Sequence, residues 1–136
     1  MIKDIFITVQ KEFGQRVIAK EGSKDYGALS CFVQYYTQPQ ILFHIKKTCF
    51  FPSPKVDSCF LYLDVRNKPL LNKRQEELFF RLVRAAFNKR RKTLRNSLKG
   101  IIPMEKLGLF FATHDINCNI RPEDLSLENF AHLAKI

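Results

Sequence analysis

Through the first half of the chain the apolar positions change period several times, and each change marks an element. Residues 2–9 (IKDIFITV) are β-branched and aromatic in close succession and predict a mostly buried strand. Over residues 11–19 the period lengthens, and Phe13, Val17 and Ile18 share one helical face. A polar loop follows at 21–27 (EGSKDYG), punctuated by two glycines. Asp25 is placed to cap a helix running to about Tyr36, with Leu29, Phe32, Val33 and Tyr36 at helical spacing. After Pro39, residues 41–47 (ILFHIKK) predict a second strand, residues 50–54 a stiff proline-bearing loop, and residues 57–65 (DSCFLYLDV) a third strand. The three strand segments are apolar on both faces, the pattern of a sheet with helices on each side.

Beyond Lys68-Pro69 the strand signal stops and only helical periodicity remains. The pattern therefore divides the chain into an α/β part, 1–68, and an all-helical part, 69–136. Residues 75–87 put Leu78, Phe79, Leu82, Val83 and Ala86 on one side. Leu94 and Leu98 point about a quarter-turn away from that face, counting about 100° per residue. This predicts a bend or restart near Asn88, itself a good cap. Pro103 suits the first turn of a further helix carrying Met104, Leu107, Phe110 and Phe111. Pro122 and Ser126 open the last helical pieces, with Leu127, Phe130 and Leu133 apolar. The length of 136 residues suits one ordinary domain or two small packed subdomains.

Composition sharpens this picture mainly through charge. Hydrophobic residues at 46% and charged residues at 26% exclude a disordered chain. The apolar runs are far shorter than the ~20 residues that span a bilayer, and no cationic, apolar leader opens the chain. The expectation is a cytoplasmic protein that does not enter a membrane. Twenty-three Lys and Arg against 13 Asp and Glu leave a net charge of +10, which points to a polyanionic partner. From Leu78 to Met104 there is no acidic residue, while Arg81, Arg84, Lys89, Arg90, Arg91, Lys92, Arg95 and Lys99 supply +8 of that charge. On one continuous helix Arg91, Arg95 and Lys99 would stack, and like charges so placed repel. An anion relieves that repulsion, and phosphate contacts from such a surface give salt-sensitive, sequence-independent affinity for nucleic acid. A merely solvated helix face is the alternative. A membrane surface fits less well, because the neighbouring apolar residues are those that dock the helix.

A second unusual stretch is Cys49-Phe50-Phe51-Pro52-Ser53-Pro54-Lys55-Val56-Asp57-Ser58. Pro52 and Pro54 fix φ and hold the residues before them extended. Phe50 or Phe51 is then a rigid ring at the edge of a sheet, able to stack on a nucleobase for about 1–3 kcal/mol. A packed hinge is the plainer reading. Cys31, Cys49, Cys59 and Cys118 show no C-x-x-C spacing, and His44, His114 and His132 are scattered, so no metal site is expected and the cysteines read as reduced thiols.

Five ordered segments resemble the small-subunit rRNA adenine dimethyltransferases. Residues 50–58 (FFPSPKVDS) are similar to the family's F-x-P-x-P-K-V-D-S motif, residues 9–12 (VQKE) to its V-Q-K-E strand end, and residues 22–30 (GSKDYGALS) to its G-S-K-x-Y-G-x-L-S loop. Residues 79–87 (FFRLVRAAF) and 90–98 (RRKTLRNSL) are similar to its helical subdomain. Erythromycin-resistance rRNA methylases share the Phe-Pro loop, but the R-R-K-T-L-R-N run favours the dimethyltransferases. The resemblance implies the last three strands of a doubly wound, Rossmann-like methyltransferase sheet followed by a small, basic, rRNA-binding helical subdomain. It also implies S-adenosylmethionine as methyl donor and dimethylation of two adjacent adenines near the 3′ end of small-subunit rRNA, with the immature small subunit as partner. In that scheme the target base is extruded, and the motif's first Phe, here Phe50, stacks on it.

The same resemblance points to what these residues do not contain. The five glycines never form the family's G-x-G-x-G cofactor loop, and no N-L-P-Y-type catalytic motif occurs. Both are expected ahead of residue 1, which identifies the chain with the C-terminal half of such an enzyme, its N-terminal half a missing partner. This chain alone is then expected to be inactive. The alternative is a freestanding RNA- or ribosome-binding module without catalysis.

Overall fold

In the computed structural model, which describes residues 1–89 and 91–136, three strands form one sheet in the order β1-β3-β2. Strand β1 (Asp4–Gln10) and strand β2 (Thr37–Ile45) each pair antiparallel with β3 (Ser58–Val65), so β1 and β2 run parallel with β3 inserted between them. Their connection is helical: α1 (Lys11–Ile18) and α2 (Ala28–Tyr36) cross over one face of the sheet. Val17 on α1 packs there with Cys59 and Leu61 of β3, joined by Val9, Leu29, Val33 and Ile41. The face these helices cover is the one carrying Cys59, Leu61 and Leu63. On the opposite face sit Phe6, Phe43, Phe60 and Tyr62, and no described helix covers them. The strands are apolar on both sides, as their sequences predict, yet only one side is packed.

Helix α2 joins the two parts of the chain. Leu29 and Val33 face the sheet, while Cys31 and Tyr35 belong to the larger core with Phe79, Leu82, Leu94, Leu98, Phe130 and Leu133. That core is built on α3 (Lys73–Asn88), α4 (Leu94–Ser97), α5 (Met104–Thr113) and α6 (Leu127–Ala134). It runs across residue 68, so the last part of the chain is not packed separately from α2. The Tyr35 hydroxyl donates to Glu76 Oε2 at 2.8 Å and fastens α2 to α3. Two buried polar side chains on α2 satisfy the end of α1. Ser30 donates to the Arg16 carbonyl, and Gln34 Nε2 donates to the carbonyls of Val17 (2.8 Å) and Ala19 (2.7 Å). Carbonyls at a helix end would otherwise lie buried without partners.

Several boundaries differ from the expectation. Helix α2 begins after Gly27, not at a cap by Asp25, because Tyr26 is buried and the Ser30 Oγ accepts the Gly27 N–H at 3.2 Å. Strand β2 starts at Thr37 and runs through Pro39. It is an outer strand, where a residue lacking an N–H is tolerated. The restart after Asn88 is capped by Thr93, whose hydroxyl accepts the Asn96 N–H at 3.3 Å. Of the cysteines, Cys31 and Cys59 are buried and Cys49 and Cys118 exposed, all four as free thiols.

Candidate nucleic-acid interface

The Phe-Pro loop is closed by short polar side chains between the ends of β2 and β3. The Asp57 carboxylate accepts the Lys47 N–H at 2.9 Å, and the Ser53 hydroxyl donates to the Lys47 carbonyl at 2.9 Å. The Asp57 carbonyl also accepts the Lys11 N–H at 2.9 Å, tying the loop to the junction of β1 and α1. The Phe51–Pro52 peptide is cis. These bonds separate the two phenylalanines. Phe51 stands wholly in solvent at 102% exposure, whereas Phe50 is 39% exposed and walls an open cleft of about 360 Å³. Thr8, Val9, Gln10, Pro52, Pro54 and Ser58 complete that cleft. It lies at the carboxyl end of β1, the place where open α/β sheets take ligands. Sequence reasoning singled out Phe50 and gave no role to Ser53 or Asp57; their signal was short polar side chains in and just after a proline-bearing turn, which fasten such turns.

The basic residues occupy a broad surface on the helical part. Arg81 and Arg84 lie on the exposed side of α3, with the Arg84 guanidinium carbon 5.7 Å from the Phe32 ring centroid. Lys89 is exposed at the end of α3, Arg91 and Lys92 are exposed in the turn that follows, Arg95 is exposed on α4, and Lys99 in the turn before Gly100. Arg90 lies outside the described residues. The expected stack of Arg91, Arg95 and Lys99 along one helix is therefore not formed. Thr93 starts a new four-residue helix, the Leu94 N–H bonds to the Ile120 carbonyl at 2.8 Å, and Gly100 turns the chain at φ +84°. Breaking the helix spreads like charges that a continuous one would hold in repulsive register.

Among the described residues no three His, Cys, Asp or Glu side chains are grouped to hold a metal ion, and no helix is long and apolar enough to cross a membrane. His44 and His132 are exposed, and His114 is half-buried with its ring 5.3 Å from that of His132.

The antiparallel sheet β1-β3-β2 and the helices packed on it have the fold of one part of the Rossmann-like methyltransferases. A dimethyladenosine transferase from Plasmodium falciparum superposes with a TM-score of 0.80 at 23% identity, over 98% of this chain and 56% of that one. The 23S rRNA methyltransferase ErmE gives 0.69 at 20% identity, over 99% of this chain and 56% of its own. The family model described as ribosomal RNA adenine dimethylase matches residues 1–136, and the chain belongs to that family. Among curated relatives named ribosomal RNA small subunit methyltransferase A, that of Clostridium acetobutylicum is 44% identical over 133 residues, and that of Moorella thermoacetica 43% over 136. The chain spans about half their length, 48% and 47% respectively.

Proposed function

We propose that this chain is the rRNA-holding half of an S-adenosylmethionine-dependent dimethyltransferase that modifies two adjacent adenines near the 3′ end of small-subunit rRNA, in the cytoplasm, as the subunit matures. The observation that carries this reading is Phe50, fixed by a closed loop at a cleft on the carboxyl end of β1, in a chain matched along its whole length by the family. An exocyclic amine inside a helix is out of reach of a methyl donor, so the adenine must be extruded. The Phe50 ring offers the leaving base a π-face, and Pro52 and Pro54 keep that ring from collapsing onto the sheet. Arg81, Arg84, Lys89, Arg91, Lys92, Arg95 and Lys99 hold phosphates of the surrounding rRNA, with Arg90 assigned to the same role from sequence alone. Pairing with phosphates needs no fixed helical register, only exposure, and each of the seven described residues is exposed.

The residues present do not fit the methyl donor. Gly14 lies within α1, where its Cα faces Cys59 Sγ, and the other four glycines are too far apart to make a phosphate-cradling loop. Donor binding and orientation of the amine belong to the remaining half of the relatives' length. A second reading follows from that same feature: a freestanding RNA-binding module without catalysis. The two are separated by assaying methyl incorporation into unmethylated small subunits. The chain alone incorporates nothing under either reading, and adding the complementary half of a relative restores transfer only under the first. In that restored enzyme Phe50→Ala lowers the rate by roughly 10–100-fold, the equivalent of about 1–3 kcal/mol of lost stacking. Phe50→Tyr retains most of it, and Phe51→Ala changes little. A Phe50→Ala enzyme with the normal rate removes the stacking role.

A further inference from the structure

A second cleft lies away from Phe50, between the start of α2, the outer side of α3 and the turn after α4. It encloses about 650 Å³ and is open to solvent. Arg81, Arg84, Ala85 and Asn88 reach it from α3 at spacings of three, four and seven residues, which place them on one helical stripe. Ala28, Phe87 and Ile101 supply the rest of its lining, so an apolar wall and two guanidinium groups face the same space, with no carboxylate among the lining residues. Both walls are held in place. The Arg84 guanidinium carbon sits 5.7 Å from the Phe32 ring centroid, and the Phe87 ring is wedged between Tyr26 at 5.8 Å and Phe130 at 5.9 Å.

A solvated cationic face needs no apolar recess beside its arginines, and an apolar packing defect would not carry two arginines and an amide. Their combination matches a mononucleotide, with a flat apolar base on one side and a phosphate on the other. We propose that this cleft takes one unpaired nucleotide of the bound RNA, its phosphate between Arg81 and Arg84 and its base against Ala85, Phe87 and Ile101, where Asn88 offers an amide to a base edge. The inference rests on the phosphate-holding role given above to this surface and adds a preference for single-stranded over duplex RNA at it. Duplex RNA recognition works mostly through shape and backbone, whereas splayed bases are taken into apolar recesses.

Two charge-neutral substitutions on the full chain test it, read by fluorescence anisotropy against three probes: a short single-stranded RNA, the same strand with abasic sites, and a duplex of equal length. Ala85→Leu fills the cleft with a good helix former, and Ile101→Ala strips part of its wall. Each is expected to weaken the intact single strand roughly tenfold, down to the affinity of the abasic strand. The duplex affinity and the salt slope stay unchanged, because no charge has moved. A variant still folded by circular dichroism that binds the intact strand as tightly as the wild type overturns the nucleotide cleft. Wild-type protein that binds intact and abasic strands equally overturns it too, while leaving the phosphate surface standing. A chain that binds none of the three probes at low salt overturns both.

Discussion

Tyr26 and Cys31 each hold a proton where there is no water to receive the charge its loss would create. The Tyr26 hydroxyl donates to the Leu125 carbonyl at 2.8 Å and accepts from the Cys31 thiol at 3.2 Å, so the pair ties the loop at 21–27 to the chain just before α6. Burial is the main reason that the Cys31 thiol is pushed from its ordinary 9.0 up to about 12, and Tyr26 is moved in the same direction. In the unfolded chain Cys31 ionises near its ordinary value, while the folded chain keeps the proton. Above that value the unfolded state binds fewer protons, so the stability contributed by the thiol is complete below pH 9.0 and declines as pH rises toward about 12. Thermal melting is expected to be insensitive to pH just below 9 and to fall above it, with a shallower fall in Cys31→Ala. Cys59 is displaced upward too, again by burial, and contributes to the same decline. In the native chain at neutral pH a thiol reagent should label Cys49 and Cys118 and spare Cys31 and Cys59 until denaturant is added. Native labelling of Cys31 at the rate of Cys49 would refute the buried pair. None of this is legible in sequence, where all four cysteines lie in apolar or turn contexts; burial is decided by contacts 99 residues apart, as between Tyr26 and Leu125. Gly14 is a similar case. A Cβ there would collide with Cys59 Sγ, which only the packing of α1 on β3 makes visible.

At the scale of elements, hydrophobic period was a good guide and local punctuation a weaker one. Among the described residues, β-branched and aromatic runs located every strand and the 3.6 period every α-helix of eight or more residues, because each element packs at least one apolar face. Pro39 read as a boundary because it lacks a donor, yet an outer strand absorbs it. Asn88 read as a restart because it caps well, but Thr93 is the residue positioned to receive an N–H, five residues further on. That difference matters for the basic surface. Arg91 and Lys92 lie before the cap, Arg95 lies on α4, and Lys99 lies after it, so the charges are divided among two turns and a short helix instead of lining one helix. Replacing Arg91, Arg95 and Lys99 together by Ala is expected to weaken RNA binding at low salt and to flatten the slope of log affinity against log salt by roughly two to three units. Thr93→Ala leaves all three charges in place but removes the cap, costing about 0.5–2 kcal/mol locally. It should weaken binding less and leave the slope nearly unchanged. A triple variant with unaltered affinity and slope would show a solvated face only.

For the molecule as a whole, the consequential feature is the uncovered side of the sheet. Phe6 stacks on Tyr62 with ring centroids 4.9 Å apart, Phe43 stacks on Phe60 at 5.0 Å, and Phe6 and Phe43 remain 55% and 52% exposed. This ladder runs across all three strands, and β1 beside it is an outer strand without a second neighbour among the described residues. Contiguous aromatic surface of this kind next to an open strand edge invites association. The relatives are about twice as long as the matched region, and a doubly wound sheet carries helices on both of its faces, so the occupant we propose for this face is the other half of the relatives' sequence. Two consequences separate this from a face that is simply tolerated in water. The chain alone should self-associate as its concentration is raised in sedimentation velocity, since another copy offers the same aromatic surface. Phe6→Lys puts a charge in the middle of the ladder and should return the chain to a monomer, while also weakening capture of the complementary half of the Clostridium acetobutylicum relative by at least tenfold. Phe51→Lys is the control, because that ring is more exposed than Phe6 but stands on the loop and off the sheet. If Phe51→Lys disperses the chain and Phe6→Lys does not, the association belongs to the loop. A wild-type chain that stays monomeric at every accessible concentration and ignores the complementary half would mean that the aromatic face is not an interface.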